Sequence, residues 1–387
     1  MGHECFYFAG ECDRDEEVSF VVPEANFEHE DVRAISQDLF DDFHRSSSTT
    51  ERVHEVRRVL KQALYEFIET YDVDLLIAEN ALSLPMNIPL GIALTELVAE
   101  TEVSVIAHHH DFTWERSRYA VHAAPDYLQG SFPPHMKMIQ HVVINSYAGR
   151  QLAWRCGLDS DLVPNVMDFN AWQPDSGKKA TELRAALGIS GDQKLILQPT
   201  RVVPRKRIER SMELVRRLGC DRCRLVVTHA AGDEGYQYQQ YLENYADMLG
   251  VDVMFASDIM NHSRHKAADG RMVYSLADAY RAADLVTYPS RVEGFGNAFL
   301  EAVYYKKPIV MSSYEIFQTD IQPKGFEVVA FDQFITPETV EHAERILANP
   351  DSAQEMVERN FELGKKYYSF DRLRDCLSTL LREISFQ

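Results

Sequence analysis

The apolar positions of this chain switch between two periods, and the switching predicts its elements. Short apolar runs read as strands buried on both faces. These are Val73–Ala78, Val103–Ala107, Gln140–Asn145, Lys194–Gln198, 224–228, 251–255, Ala283–Pro289, Pro308–Met311 and Phe326–Phe331. Between them lie segments whose apolar residues recur three and four apart, the spacing of one helix face. These are Asp31–Phe43, Val53–Tyr71, Pro85–Ala99, 147–156, 180–187, 234–249, Tyr274–Ala282, 336–347, 351–366 and 370–385. Ser46–Thr50 is a polar break that supplies N-cap residues, and Ser146 reads as a second N-cap. The polar stretch Ser257–Gly270, with His262 and His265, reads as a loop. Strands that alternate with helices through both halves predict the α/β class with parallel sheets. A linker through Gln173-Pro174-Asp175-Ser176-Gly177 separates an expected first domain, 1–172, from a second, 173–368, and leaves a final helical segment, 369–387.

Composition narrows the picture. A chain of 387 residues has room for two domains, and 45% hydrophobic content can fill two cores. The formal net charge of −20 argues against nucleic acid or an anionic membrane as partner. No apolar run approaches the ~20 residues of a membrane span, and no signal peptide is visible. Of six cysteines only Cys220 and Cys223 form a C-x-x-C, without a second pair to complete a zinc site. Structural thiols in a reducing cytoplasm are expected.

Three stretches carry candidate chemistry. The first is Ser290-Arg291-Val292-Glu293-Gly294-Phe295-Gly296-Asn297-Ala298-Phe299-Leu300-Glu301-Ala302, between an apolar strand and an apolar helix. Strand, glycine turn and helix aim backbone N–H groups and a helix dipole at an anion. Gly294 and Gly296 allow a ligand close to the backbone. Glu293 and Glu301 would repel a bare phosphate but accept hydrogen bonds from hydroxyls. In the second stretch, five of the twelve residues Pro199–Arg210 are basic, against the sign of the whole chain. Arg201 and Lys206 follow a strand and suit phosphate, while a basic helix start without an anion opposes the dipole. The third stretch is His108-His109-His110-Asp111-Phe112-Thr113-Trp114-Glu115-Arg116, again after a strand. Alternation puts His108 and His110 on one face. That permits a metal site with Asp111, as in a metal-dependent hydrolase. It equally permits a solvent-facing cap. Arg116 and Arg118, expected on a helix, suit an anionic partner or surface ion pairs.

E-G-F-G-x-x-x-x-E, read at Glu293–Glu301, resembles the donor-site signature of retaining glycosyltransferases of family 4, which have the two-Rossmann-domain GT-B fold. Arg201 and Lys206 match the family's basic pair, and Pro164-Asn165-Val166-Met167-Asp168 resembles its inter-domain passage, with Val166 in place of a glycine. The resemblance implies two Rossmann-like domains with a last helix crossing back to the first. It implies transfer of a hexose from UDP- or GDP-hexose, bound in the cleft between the domains, to an acceptor hydroxyl with retained configuration, and no metal or other cofactor. Glu293 is then the sugar contact, Glu301 the ribose contact, and Gly294, Phe295, Gly296 and Asn297 the turn that meets sugar and diphosphate. Arg201 and Lys206 hold the diphosphate, and His110 is the histidine near the anomeric carbon. His109, Asp111, Arg116 and Arg118 are placed on the acceptor, a small anionic or carbohydrate molecule. The H-H-D-F-x-W-E-R stretch and Ile321–Phe326 are similar to enzymes that mannosylate glucosyl-phosphoglycerate.

Met1–Gly10 reads as a helix end, a glycine cap and a strand, which in that family is the approach to the second strand. The first β-α unit is therefore expected to be missing. Two other readings stay open, a catalytically inactive nucleotide-sugar binding protein and the metal-dependent hydrolase.

Overall fold

A computed structural model describes residues 2–172, 177–219, 222–231 and 236–385. The expected linker residues Gln173–Ser176, the first two residues of the helix expected at 234–249, and Cys220 lie outside them.

The chain divides into two compact units, Met1–Pro164 with Cys376–Gln387, and Asn165–Asp375. The first begins with β1 (Tyr7–Ala9) and β2 (Ser19–Val21), paired in parallel as a two-stranded sheet. Residues 2–6 are irregular, so the helix end expected there is not formed. Helices α1 (Glu30–Phe40) and α2 (Ser47–Tyr71) follow. Ser46 caps α2 by accepting from the Thr49 N–H at 3.0 Å. Then come β3 (Leu75–Glu79), α3 (Ile88–Thr101), β4 (Ser104–His109), α4 (Pro125–Ser131), β5 (Ile139–Val143), α5 (Ser146–Cys156) and β6 (Asp161–Leu162). Strands β3 to β6 form one parallel sheet in sequence order. β3 is therefore an edge strand, and its outer face shows: Ile77 is 53% exposed, where full burial was expected. The helix expected from Ser146 is capped one residue earlier, by the Asn145 side chain accepting from the Ala148 N–H at 2.7 Å. Val32, Ile35 and Leu39 of α1, Val53, Leu60 and Leu64 of α2, and Leu97 of α3 close the core over the strands.

The second unit contains α6 (Lys178–Ala186), β7 (Lys194–Gln198), α7 (Ile208–Leu218), β8 (Cys223–Val227), α8 (Gln237–Leu249) and β9 (Val253–Phe255). Where a loop was expected, β10 (Met260–Asn261) and β11 (His265–Lys266) flank β12 (Met272–Ser275) in a small three-stranded sheet. Residues Tyr274 and Ser275, expected in the next helix, belong to that strand. Helix α9 (Leu276–Ala282) starts after it, with Ser275 and Asp278 forming a capping box. β13 (Leu285–Tyr288), α10 (Asn297–Tyr304), β14 (Ile309–Ser312), β15 (Val329–Phe331), α11 (Pro337–Ala348), α12 (Pro350–Tyr367) and α13 (Phe370–Ser385) complete the chain. The main sheet runs β15-β14-β13-β7-β8-β9, all parallel. β13 and β14 are buried at every position, which explains why their residues are apolar apart from Thr287 and Ser312.

The units divide a few residues before the expected 172/173. Met167 N–H donates to Tyr368 O at 2.9 Å, and the Phe169 ring packs edge-on against Tyr304 and Phe361. Residues 165–172 are thereby tied into the second unit. From Cys376 onward α13 belongs to the first unit, where Gln140 Nε2 donates to Glu383 at 3.0 Å.

Candidate functional site

In the second unit two loops leave the C-terminal ends of the adjacent parallel strands β7 and β13. That is the end where open α/β sheets place ligands. The loops are joined by Arg291 N–H donating to Arg205 O at 2.9 Å. Beneath them Gln198 is buried and hydrogen-bonded through both its amide oxygen and its amide nitrogen. Its Oε1 accepts from Ser211 at 2.6 Å and Thr287 at 3.0 Å, and its Nε2 donates to Thr200 at 2.8 Å.

Lys206 Nζ donates to the Glu293 carboxylate, and Arg205 Nη1 lies 3.3 Å from its other oxygen. The Lys206 and Glu293 side chains are each only 10% exposed. Burial pushes the Glu293 carboxyl up, but Lys206 and Arg205 outweigh it and hold the group below the usual range. Burial pulls the Lys206 ammonium down, Glu293 pulls it back up, and the charges of Arg205 and Arg201 lower it further. Arg201 itself is exposed. A basic helix start was expected, but of the five basic residues only Arg210 lies in the first turn of α7. Pro204–Lys206 forms a 3₁₀ turn, Arg207 adopts a φ of +50°, and α7 starts with Ile208 and Glu209.

The Gly294–Asn297 turn is held from behind. Tyr314 O–H donates to Phe295 O at 2.8 Å, and Phe295 is buried edge-on against Tyr368. Gly296, at φ +107°, precedes α10, and a Cβ there would lie 2.2 Å from Tyr314 Oη. Asn297 opens the helix, exposed, and accepts from Asn165 Nδ2 at 2.6 Å. Within α10 the Glu301 carboxylate accepts from Tyr280 O–H at 2.6 Å. Burial raises the Glu301 carboxyl, and the Tyr280 bond offsets part of that rise.

In the first unit the histidine run divides by face. Glu79, at the end of β3, takes His108 Nδ1 at 2.9 Å and His110 Nε2 at 3.0 Å on one carboxylate oxygen. Burial raises the Glu79 carboxyl, yet the two imidazoles bring it down to about 2. Asn80, with φ +59°, accepts from the His110 N–H at 2.8 Å and from the Asp111 N–H at 3.3 Å, which fixes the turn.

Three expectations fail here. His109 cannot meet an acceptor, because its ring is fully buried and its Nε2 lies 2.9 Å from His141 Nδ1. Asp111 does not join His108 and His110, because it is paired with Arg116. Arg116 and Arg118 are not on a helix. They lie among 3₁₀ turns, Thr113–Glu115 and Ser117–Tyr119, with the Arg118 guanidinium over the Tyr119 ring at 4.7 Å.

Glu79, Asn80, Arg205, Tyr280 and Tyr314 were missed as site residues. Glu79 could have been found, since an acid at a strand end beside a His-x-His strand end is visible in the sequence. Tyr280 and Tyr314 carry no local signal, because only packing brings them to the glutamates and the glycine turn.

A profile of the family Glycosyl transferases group 1 matches residues 179–363. Mannosylglucosylglycerate synthase of Thermotoga maritima is 33% identical over 415 residues, covering 98% of this chain and 92% of the relative. The enzyme of the same name from Petrotoga mobilis is 32% identical, covering 81% and 80%. Among solved structures, HepE of Anabaena in complex with UDP and glucose has a TM-score of 0.60 at 14% identity, covering 86% of this chain and 81% of its own. Sucrose-phosphate synthase of Thermosynechococcus elongatus has a TM-score of 0.62 at 17% identity, covering 86% and 79%. These two show the fold alone, and the near full-length likeness to the Thermotoga relative shows more: the chain belongs to the group 1 glycosyl transferases, as a nucleotide-sugar glycosyltransferase of GT-B fold.

Proposed function

We propose that the chain transfers a mannosyl group from a nucleotide-diphosphate mannose to a hydroxyl of glucosylglycerate, with retained configuration and without a divalent cation. The observation that carries the donor half is the charge cluster of Arg201, Arg205, Lys206 and Glu293 at the ends of β7 and β13. The names of the two relatives support the sugar and the acceptor. Both name a glycerate, so the phosphoglycerate glycoside becomes the competing acceptor.

Lys206 has three N–H donors and spends one on Glu293, which leaves two for diphosphate oxygens. A carboxylate has about four acceptor sites, so Glu293 can hold Lys206, Arg205 and a sugar hydroxyl together. As the sugar–oxygen bond breaks, negative charge grows on the departing diphosphate. Arg201, Lys206 and the N–H groups at the start of α10 stabilise it. The acceptor hydroxyl attacks from the same face and passes its proton to a diphosphate oxygen. Glu301 takes the ribose hydroxyls. The inactive binding protein shares every donor contact and differs only in turnover.

The test is incubation of metal-depleted protein with GDP- and UDP-hexoses and either glucosylglycerate or glucosyl-phosphoglycerate. Product is read by mass spectrometry and its anomeric configuration by NMR. A hexosyl product with the donor's configuration is expected from glucosylglycerate. Transfer only to the phosphorylated acceptor overturns the acceptor, and an inverted product overturns the mechanism. Thermal unfolding with UDP or GDP at a hundred times the dissociation constant adds about 2.7 kcal/mol if the nucleotide binds. Such a shift without any turnover makes the chain a binding protein.

A further inference from the structure

Three donor atoms converge at the C-terminal ends of β3 and β4. The strand register pairs Glu79 with His108 directly, and His110 returns to the same face two residues on. The contacts are 2.9 Å from Glu79 to His108 Nδ1 and 3.0 Å to His110 Nε2, and one ligand atom from each residue lies within 4.8 Å of the other two. The two imidazole centroids are 4.6 Å apart.

We propose that Glu79, His108 and His110 form a binding site for a divalent transition-metal ion of the zinc class. The inference stands on these three side chains and not on the transferase reading. Two imidazole nitrogens and one carboxylate oxygen are a donor set for Zn²⁺, Co²⁺ or Ni²⁺, whereas Mg²⁺ and Ca²⁺ take oxygen ligands. The ligands are set by the ends of paired strands, and Asn80 pins the backbone of His110, so little ordering remains to be done on binding. Access is open, since the Glu79 and His110 side chains are 61% and 38% exposed, and three protein ligands leave a fourth position for water. Asp111 does not compete for the ion, because Arg116 holds it.

The experiment is titration of the metal-free full chain with CoCl₂ and ZnCl₂, followed by the visible ligand-field bands of Co²⁺ and by calorimetry. One equivalent is expected to bind with a tetrahedral Co²⁺ spectrum that Zn²⁺ displaces. Glu79→Gln and His108→Gln, checked for folding by thermal unfolding, are each expected to weaken binding by at least about 100-fold, since loss of an outer-shell partner alone costs about 10–100-fold. No binding by the wild-type chain overturns the proposal and leaves the cluster as a hydrogen-bonded strand-end cap. Binding of undiminished affinity in both variants also overturns it, by placing the ion elsewhere.

Discussion

Lys206 and Glu293 come from loops 87 residues apart in sequence and meet as a nearly buried ion pair, with Arg205 on the second carboxylate oxygen. Removing one partner of a buried pair strands the other charge, which costs about 3–5 kcal/mol. Arg205 remains beside Glu293, so Lys206→Met should destabilise by no more than about 3 kcal/mol in urea unfolding. Its turnover should fall roughly 10²–10³-fold, the loss typical of removing one donor to a developing oxyanion. Glu293→Gln should lose a similar factor. Full activity in either variant removes these residues from the reaction.

Gly296 has two reasons to be glycine. Its φ is +107°, and a Cβ would meet Tyr314 Oη at 2.2 Å. Gly296→Ala should cost about 1–3 kcal/mol from the backbone alone, with the contact on top. Adding Tyr314→Phe should relieve the 2.2 Å contact while leaving Tyr314 Cζ and Tyr288 Cε1 at 3.2 and 3.3 Å and the backbone part untouched, giving a favourable coupling in the double-mutant cycle. Additive losses would show that the hydroxyl is not what the Cβ meets.

The Tyr280 hydroxyl is a local hydrogen-bond donor to the Glu301 carboxylate. Tyr280→Phe leaves that carboxylate to the effect of burial, which raises its pKa. If Glu301 receives ribose hydroxyls, the variant should bind nucleotide about 2–10-fold more weakly, from a bond of about 0.5–1.5 kcal/mol. KM should rise while kcat changes little. An unchanged nucleotide affinity by calorimetry speaks against the ribose role.

His109 and His141 make the first unit acid-sensitive. Burial lowers His141 to about 4, and burial followed by the neighbouring His141 lowers His109 well below its usual value. The unfolded chain titrates these rings near 6.5, so on acidification it takes up protons before the folded chain does. Stability is fully present above about pH 6.5 and falls as the pH drops. For His141 the loss amounts to about 3 kcal/mol by pH 4. Denaturant unfolding at pH 7 and pH 4.5 should show a smaller loss in His141→Gln than in the wild-type chain. Equal losses would mean that this ring is not buried neutral.

Local patterning along the chain was enough to set the alternation of strands and helices, the parallel sheets and the order of the three chemical stretches. It could do so because these rest on local period and on glycine, proline and cap residues. Lys194–Gln198 is β7 to the residue, and its centre Leu195-Ile196-Leu197 is the apolar run that burial on both faces requires. Glu293, Gly296 and Glu301 were legible because one short turn and one helix carry all three. Long-range packing settled the rest. It turned His109 inward onto His141 while His108 and His110 met Glu79, a division set by strand alternation and by which face the core covers. It gave Asp111 to Arg116 and placed Tyr314 behind the glycine turn. It also assembled the small sheet of β10 to β12, whose two-residue flanking strands are too short and polar to show a period. Pairings between residues distant along the chain follow from packing, and no local pattern encodes them.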